Sequence, residues 1–221
     1  MATQVTGKLY REIDGLILEI KQQLRQRGGY PFDPEKLKDY LQWAVEGKFY
    51  EPDHEWREEN GVIYFSVTSD GTTGVEWIKE LDCSEYAKNI LQSSDFKPTL
   101  GVTTRIAVLK GMLFKDNERI TENIRKEAYG GTFAQGQKLS DPHPEIACLI
   151  RRKFSNKEME EMGLYWIVVM HNPIEDSVGD PYLLGTARGG GGRELVACYG
   201  RSGNRWNSDG GFAFALPQVS S

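Results

Sequence analysis

Three runs, Tyr165-Trp-Ile-Val-Val-Met170, Glu194-Leu-Val-Ala-Cys-Tyr199 and Gly211-Phe-Ala-Phe-Ala-Leu216, decide the reading of the fold. The first is the most apolar run in the protein and belongs at the centre of a sheet. In the third, Phe212, Phe214 and Leu216 fall on one face and Ala213 and Ala215 on the other, the period of a strand with one face packed hard. Such a face must be buried, and the helices upstream are its expected cover.

Working outward, Val62-Ile-Tyr-Phe-Ser-Val-Thr68 reads as a strand closed by the turn Ser69-Asp-Gly71, and Val102 to Leu109 reads as another. Thr72 or Thr73 caps a short helix carrying Val75, Ile78 and Leu81, and Ser84 caps the next. Ile120, Ile124 and Ala128 mark a helix that Gly130-Gly131 ends, Pro144 opens another, and Ser155-x-x-Glu158 is a capping box. The expected class is α+β: an antiparallel sheet of four or five strands, covered on one face by short helices.

A helical hairpin precedes this core. Leu9, Ile13, Leu16, Ile17, Ile20 and Leu24 recur at three- and four-residue steps, and a second helix follows with Asp33 as N-cap, Pro34 at its first position and Leu37, Leu41 and Val45 on one face. The hairpin spans residues 1–48, the charged segment Tyr50 to Asn60 is a linker, and residues 61–221 form the core domain.

At 221 residues with a formal net charge of -5, the chain has enough apolar residues for a core, and bulk attraction to nucleic acid or an anionic membrane is disfavoured. Three widely spaced cysteines without a C-x-x-C pair fit neither a disulfide framework nor a zinc ribbon. Without a basic-then-apolar leader or a membrane-length apolar run, the expectation is a cytoplasmic protein.

Catalytic signatures are missing: no G-x-S-x-G, no P-loop, and no second histidine after His54-Glu55. Two clusters remain. The 23 residues from His171 to Arg193 are too many for a plain hairpin loop, which spans roughly 2 to 5. They hold His171, Glu175, Asp176 and Asp180, groups suited to general-base work or to a divalent ion, although the spacing names no metal or cofactor; a solvated acidic turn is the plainer reading. Next, Arg188, Arg193, Arg201 and Arg205 lie among glycines, with Tyr199 and Trp206 nearby to stack on bases, which suits phosphate or nucleic acid; flexible solvated turns are the plainer reading. Cys148 and Cys198 read as small buried hydrophobes.

From residue 71 to 216 the chain resembles a set of uncharacterised bacterial proteins without an assigned activity. The likeness is carried by Gly71-Thr-Thr-Gly74 with Glu76-Trp77-Ile78, Arg119, Thr121, Asn123-Ile-Arg125, Glu145-Ile-Ala-Cys-Leu-Ile-Arg151, His171-Asn-Pro-Ile174 and Phe212-Ala-Phe214. It implies no catalytic residue. The functional expectation is therefore a binding or interaction protein without catalysis, engaging a partner or itself through residues 1–48. The alternatives are a metal-assisted or general-base hydrolase of a small anionic substrate, with His171, Asp176 and Asp180 acting and Arg188 or Arg193 holding the anion, and a nucleic-acid or phosphate binder using Arg188 to Arg205.

Overall fold

Val62–Asp70 (β2) and Leu100–Lys110 (β4) form a long antiparallel pair, and the rest of the sheet is laid down beside it. The structure is a computed structural model that describes residues 6–25, 37–38, 41, 45, 55–176, 178–189 and 192–217. The chain divides into two units, Met1–His54 and Glu55–Ser221.

Among the described residues of the second unit nine strands form one sheet. Besides β2 and β4 these are Trp56–Glu59 (β1), Asp82–Cys83 (β3), Trp166–Val169 (β5), Ile174–Glu175 (β6), Pro181–Gly189 (β7), Gly192–Tyr199 (β8) and Gly210–Ala215 (β9). Their order is β1-β2-β4-β9-β5-β7-β8-β3, with β6 pairing β7. The β5–β9 and β3–β8 pairs are parallel and the others antiparallel. An antiparallel sheet of four or five strands is thus overturned: the sheet is mixed and about twice as wide.

The cover is also two-sided. Helices Gly74–Glu80 (α2), Glu85–Gln92 (α3), Ile146–Lys153 (α5) and Asn156–Glu161 (α6) bring Trp77, Ile90, Ile150 and Met159 onto one face, against Ile63, Ile106, Ile167 and Leu184. Thr121–Gly130 (α4) brings Ile124 and Ala128 onto the other, against Phe212, Phe214 and Val168. Ala213 belongs to the first cluster and Phe212 to the second, so the alanine face of β9 is as buried as the phenylalanine face. A strand covered on both sides loses its wet face, which is why β7 reads Pro-Tyr-Leu-Leu-Gly-Thr-Ala without alternation and passes for a loop.

Helix starts follow local chemistry. Thr73 and Glu76 close a capping box on α2, Ser155 and Glu158 do so on α6, and Ser84 accepts from the Ala87 amide on α3. Gly131, at φ +76°, ends α4 in the left-handed conformation. In the first unit the element described is a single helix, Gly7–Leu24 (α1); of the expected second helix only Leu37, Lys38, Leu41 and Val45 are described, all helical, and the rest lies outside the described residues. Among the described residues no helix is long and apolar enough to cross a membrane.

Glycine contacts give a sharp test of this packing. A Cβ on Gly74 would fall on the backbone carbonyl oxygen of Leu91, whereas one on Gly15 meets nothing within 4 Å. Gly74→Ala must push α2 off α3 and is expected to cost roughly 2 kcal/mol or more, while Gly15→Ala in α1 is expected to be neutral or to stabilise by up to ~1 kcal/mol. Urea unfolding of the two variants reads both values.

Candidate functional site

His171 is a component of the sheet. β7 pairs with β5 through Gly185–Ala187 and with β6 through Pro181–Tyr182, leaving a gap at Leu183 and Leu184. The imidazole fills it: Nε2 accepts from the Leu184 amide at 2.9 Å, and Nδ1 lies 2.6 Å from the Asn172 carbonyl. Since the Leu184 amide donates to Nε2, the proton sits on Nδ1 and is donated to Asn172, so the ring is neutral with both nitrogens engaged. Its exposure is zero, and burial pushes its pKa down to about 4. A base so placed has no free nitrogen for a substrate or a metal.

The acids expected beside it point elsewhere. The Asp176 carboxylate accepts from the Val178 and Asp180 amides at 3.0 and 2.9 Å, tying the turn between β6 and β7. Asp180 pairs with Arg201 at 2.5 Å, and Glu175 is exposed. The long connection after β5 is therefore β6, a turn and β7 rather than a structureless loop.

The arginines do not converge either. Arg188 and Arg193 are register partners near the tip of the β7–β8 hairpin, where Arg188 pairs with Glu160 at 3.1 Å. The Arg193 side chain lies outside the described residues. Arg201 follows the far end of β8, roughly 25 Å away at about 3.3 Å per residue, and Arg205 is exposed beyond it. The rings suggested for stacking are occupied: Tyr199 lies on Tyr182 with centroids 5.0 Å apart, and Trp206 donates to the Thr121 hydroxyl at 3.0 Å.

What the fold does assemble is a cleft of about 410 Å³ lined by Asp95, Asp141, Pro142, His143, Asn172 and Pro173, among others. Arg125 of α4 is its clamp, bonding Asp141 at 2.6 Å, the Tyr129 hydroxyl at 2.8 Å and the His171 carbonyl at 2.7 Å. Tyr129 also donates to Asp141, and burial, reinforced by that bond, holds its phenol above the usual pKa. His143 is partly exposed, with Nδ1 3.3 Å from the Glu145 amide and 3.4 Å from its carboxylate. That carboxylate is buried and accepts from both the Thr99 amide, at 2.9 Å, and the Thr99 hydroxyl. Among the described residues no group of three or more side chains suited to a metal occurs. Burial raises the Cys83 and Cys198 thiols to about 11 and Cys148 well above its usual value, so none is poised as a thiolate.

Sequence reasoning passed over Asp141, His143 and Glu145 as site residues. The signal available was Asp141-Pro-His-Pro-Glu145, titratable groups separated by prolines that hold the segment extended. No family model, curated protein or solved structure matches the chain, which bears neither way on the resemblance over residues 71–216.

His171 gives the protein an acid-sensitive joint. Between pH 6.5, its ordinary value, and about 4, the unfolded chain takes up a proton that the folded one refuses. Its contribution is thus fully present above pH 6.5 and falls away as the pH drops through 4, by roughly 3 kcal/mol in total. Urea unfolding at several pH values across this window is expected to show His171→Gln less stable at neutral pH but with a shallower loss on acidification.

Proposed function

We propose that this chain is a binding protein that associates with itself through its N-terminal segment, α1 of one copy packing along α1 of another. The observation that carries this reading is the apolar stripe of α1, on which Leu16 is 62 % exposed, Ile13 45 % and Ile17 39 %. Leu9, Ile13, Leu16 and Ile20 follow one another at steps of four, three and four, the spacing of a coiled-coil seam, and Tyr10, Ile17 and Leu24 flank it at intervals of seven. A helix of 18 residues draws most of its stability from the packing of its apolar face. A seam of this spacing is filled by a helix of the same spacing, which every copy brings.

The reading assigns no reaction. His171 is spent on the Leu184 amide, Asp176 on a turn and Asp180 on Arg201, which weighs against the hydrolase alternative built on these residues. The separation of Arg188 from Arg201 and the net charge of -5 weigh against nucleic acid. A cytoplasmic setting is part of the proposal, supported by free thiols at Cys83, Cys148 and Cys198.

Sedimentation analysis of the full chain decides. The wild type is expected to be dimeric or larger at micromolar concentration. Leu16→Glu, which sets a charge in the seam, is expected to weaken association by about a hundredfold while leaving the unfolding of the second unit unchanged. A wild type that stays monomeric at high micromolar concentration overturns the reading.

A further inference from the structure

The end of β9 leaves part of β4 without a strand on one side among the described residues. β9 pairs with β4 only from Ile106 to Lys110, with one more bond from the Leu216 amide to the Arg105 carbonyl at 2.8 Å. In an antiparallel ladder alternate residues direct their polar groups to the same side, so the amide and carbonyl of Thr103 point the same way as those of Arg105. They emerge past Leu216, and among the described residues no strand pairs with them there. The opposite wall is Ser140, which exchanges backbone bonds of 2.9 Å with Ala215 on the other side of β9. Between these walls is a groove of about 580 Å³, floored by Ala215, Leu216 and Pro217.

Its electrostatics are one-sided. Arg105 lines the groove and is exposed, with no ion pair among the described residues, and no acidic residue lines it. Lys138, two residues before Ser140, is exposed as well. Asp141, the nearest acid in sequence, is held by Arg125 and Tyr129. In a chain of net charge -5, a groove whose one lining charge is the Arg105 guanidinium selects an anionic partner. An open strand edge with an apolar floor takes an extended backbone.

We infer that the groove beside Thr103 and Arg105 is a docking site for an extended acidic peptide segment of a partner protein, added as a short strand to the edge of β4. The Thr103 amide and carbonyl supply the ladder bonds, Arg105 receives a carboxylate, and Leu216 receives an apolar side chain. Gly101, at φ +70°, turns the edge out of extended geometry and limits the docked strand to a few residues.

The test uses the full chain and a labelled five-residue peptide alternating glutamate and valine, with the lysine-valine counterpart as control. Fluorescence anisotropy is expected to show binding of the acidic peptide alone, weakening with added salt, and amide resonances of Thr103 and Arg105 are expected to shift. Arg105→Glu, at an exposed position, is expected to reduce affinity by about tenfold or more. Thr103→Pro removes the edge donor at a position where the ladder to β2 does not need it, and is expected to abolish the binding. Equal binding of the two peptides, no binding at millimolar peptide, or indifference to Arg105→Glu overturns the inference. So does binding that appears only when residues 218–221 are deleted, since the groove then belongs to the chain's own following residues.

Discussion

The parallel pairing of β5 with β9, both strands covered on both faces, is the constraint on which the rest of the second unit depends. Two parallel neighbours cannot be joined by a tight turn, so the chain leaving β5 must travel out through β6, β7 and β8 before it returns. That excursion supplies the outer half of the sheet and fixes where His171 and the arginines lie. Close approach at the centre is made possible by Gly210, where any Cβ would overlap the Trp166 ring. Trp166 then packs against Trp206 and Phe212 and seals this end of the α4 face.

A second dependence runs through Arg125. One guanidinium joins α4 to Asp141 and to the backbone at His171, so the helix on one face, the segment leading to α5 on the other, and the gap in the β7 ladder share a single joint. The charged hydrogen bonds are half-buried and are worth more than a surface pair of the same geometry. The candidate cleft is the outer surface of this joint, which explains why polar side chains from elements far apart in sequence meet there.

Much of the local structure was legible. Thr73 with Glu76, Ser84, and Ser155 with Glu158 announce helix starts because capping depends on residues three apart, and Val62 to Thr68 and Val102 to Leu109 keep enough β-branched content to show as strands. The width and direction of the sheet were not. β1, read as linker, is Trp-Arg-Glu-Glu and gains its geometry from the β2 register alone, and β7 carries Gly185 at its middle because the Ile167 carbonyl leaves no room for a Cβ. The site suffered more. Composition drew attention to His171, but what an imidazole bonds to is set by strand order, and strand order is a long-range property. His143 gave the weaker local signal, yet its side chain lines a cleft and that of His171 does not.

The position of β9 has a consequence for how the protein is made. It follows β4 and β5 in the chain yet lies between them, so until residues 210–215 emerge the facing edges of β4 and β5 lack the strand that joins them. Ile106 to Leu109 on one side and Ile167 to Val169 on the other are sticky segments with unpaired backbone during that interval. Synthesis therefore passes through a vulnerable stage that the pairing of β9 with β4 and β5 relieves.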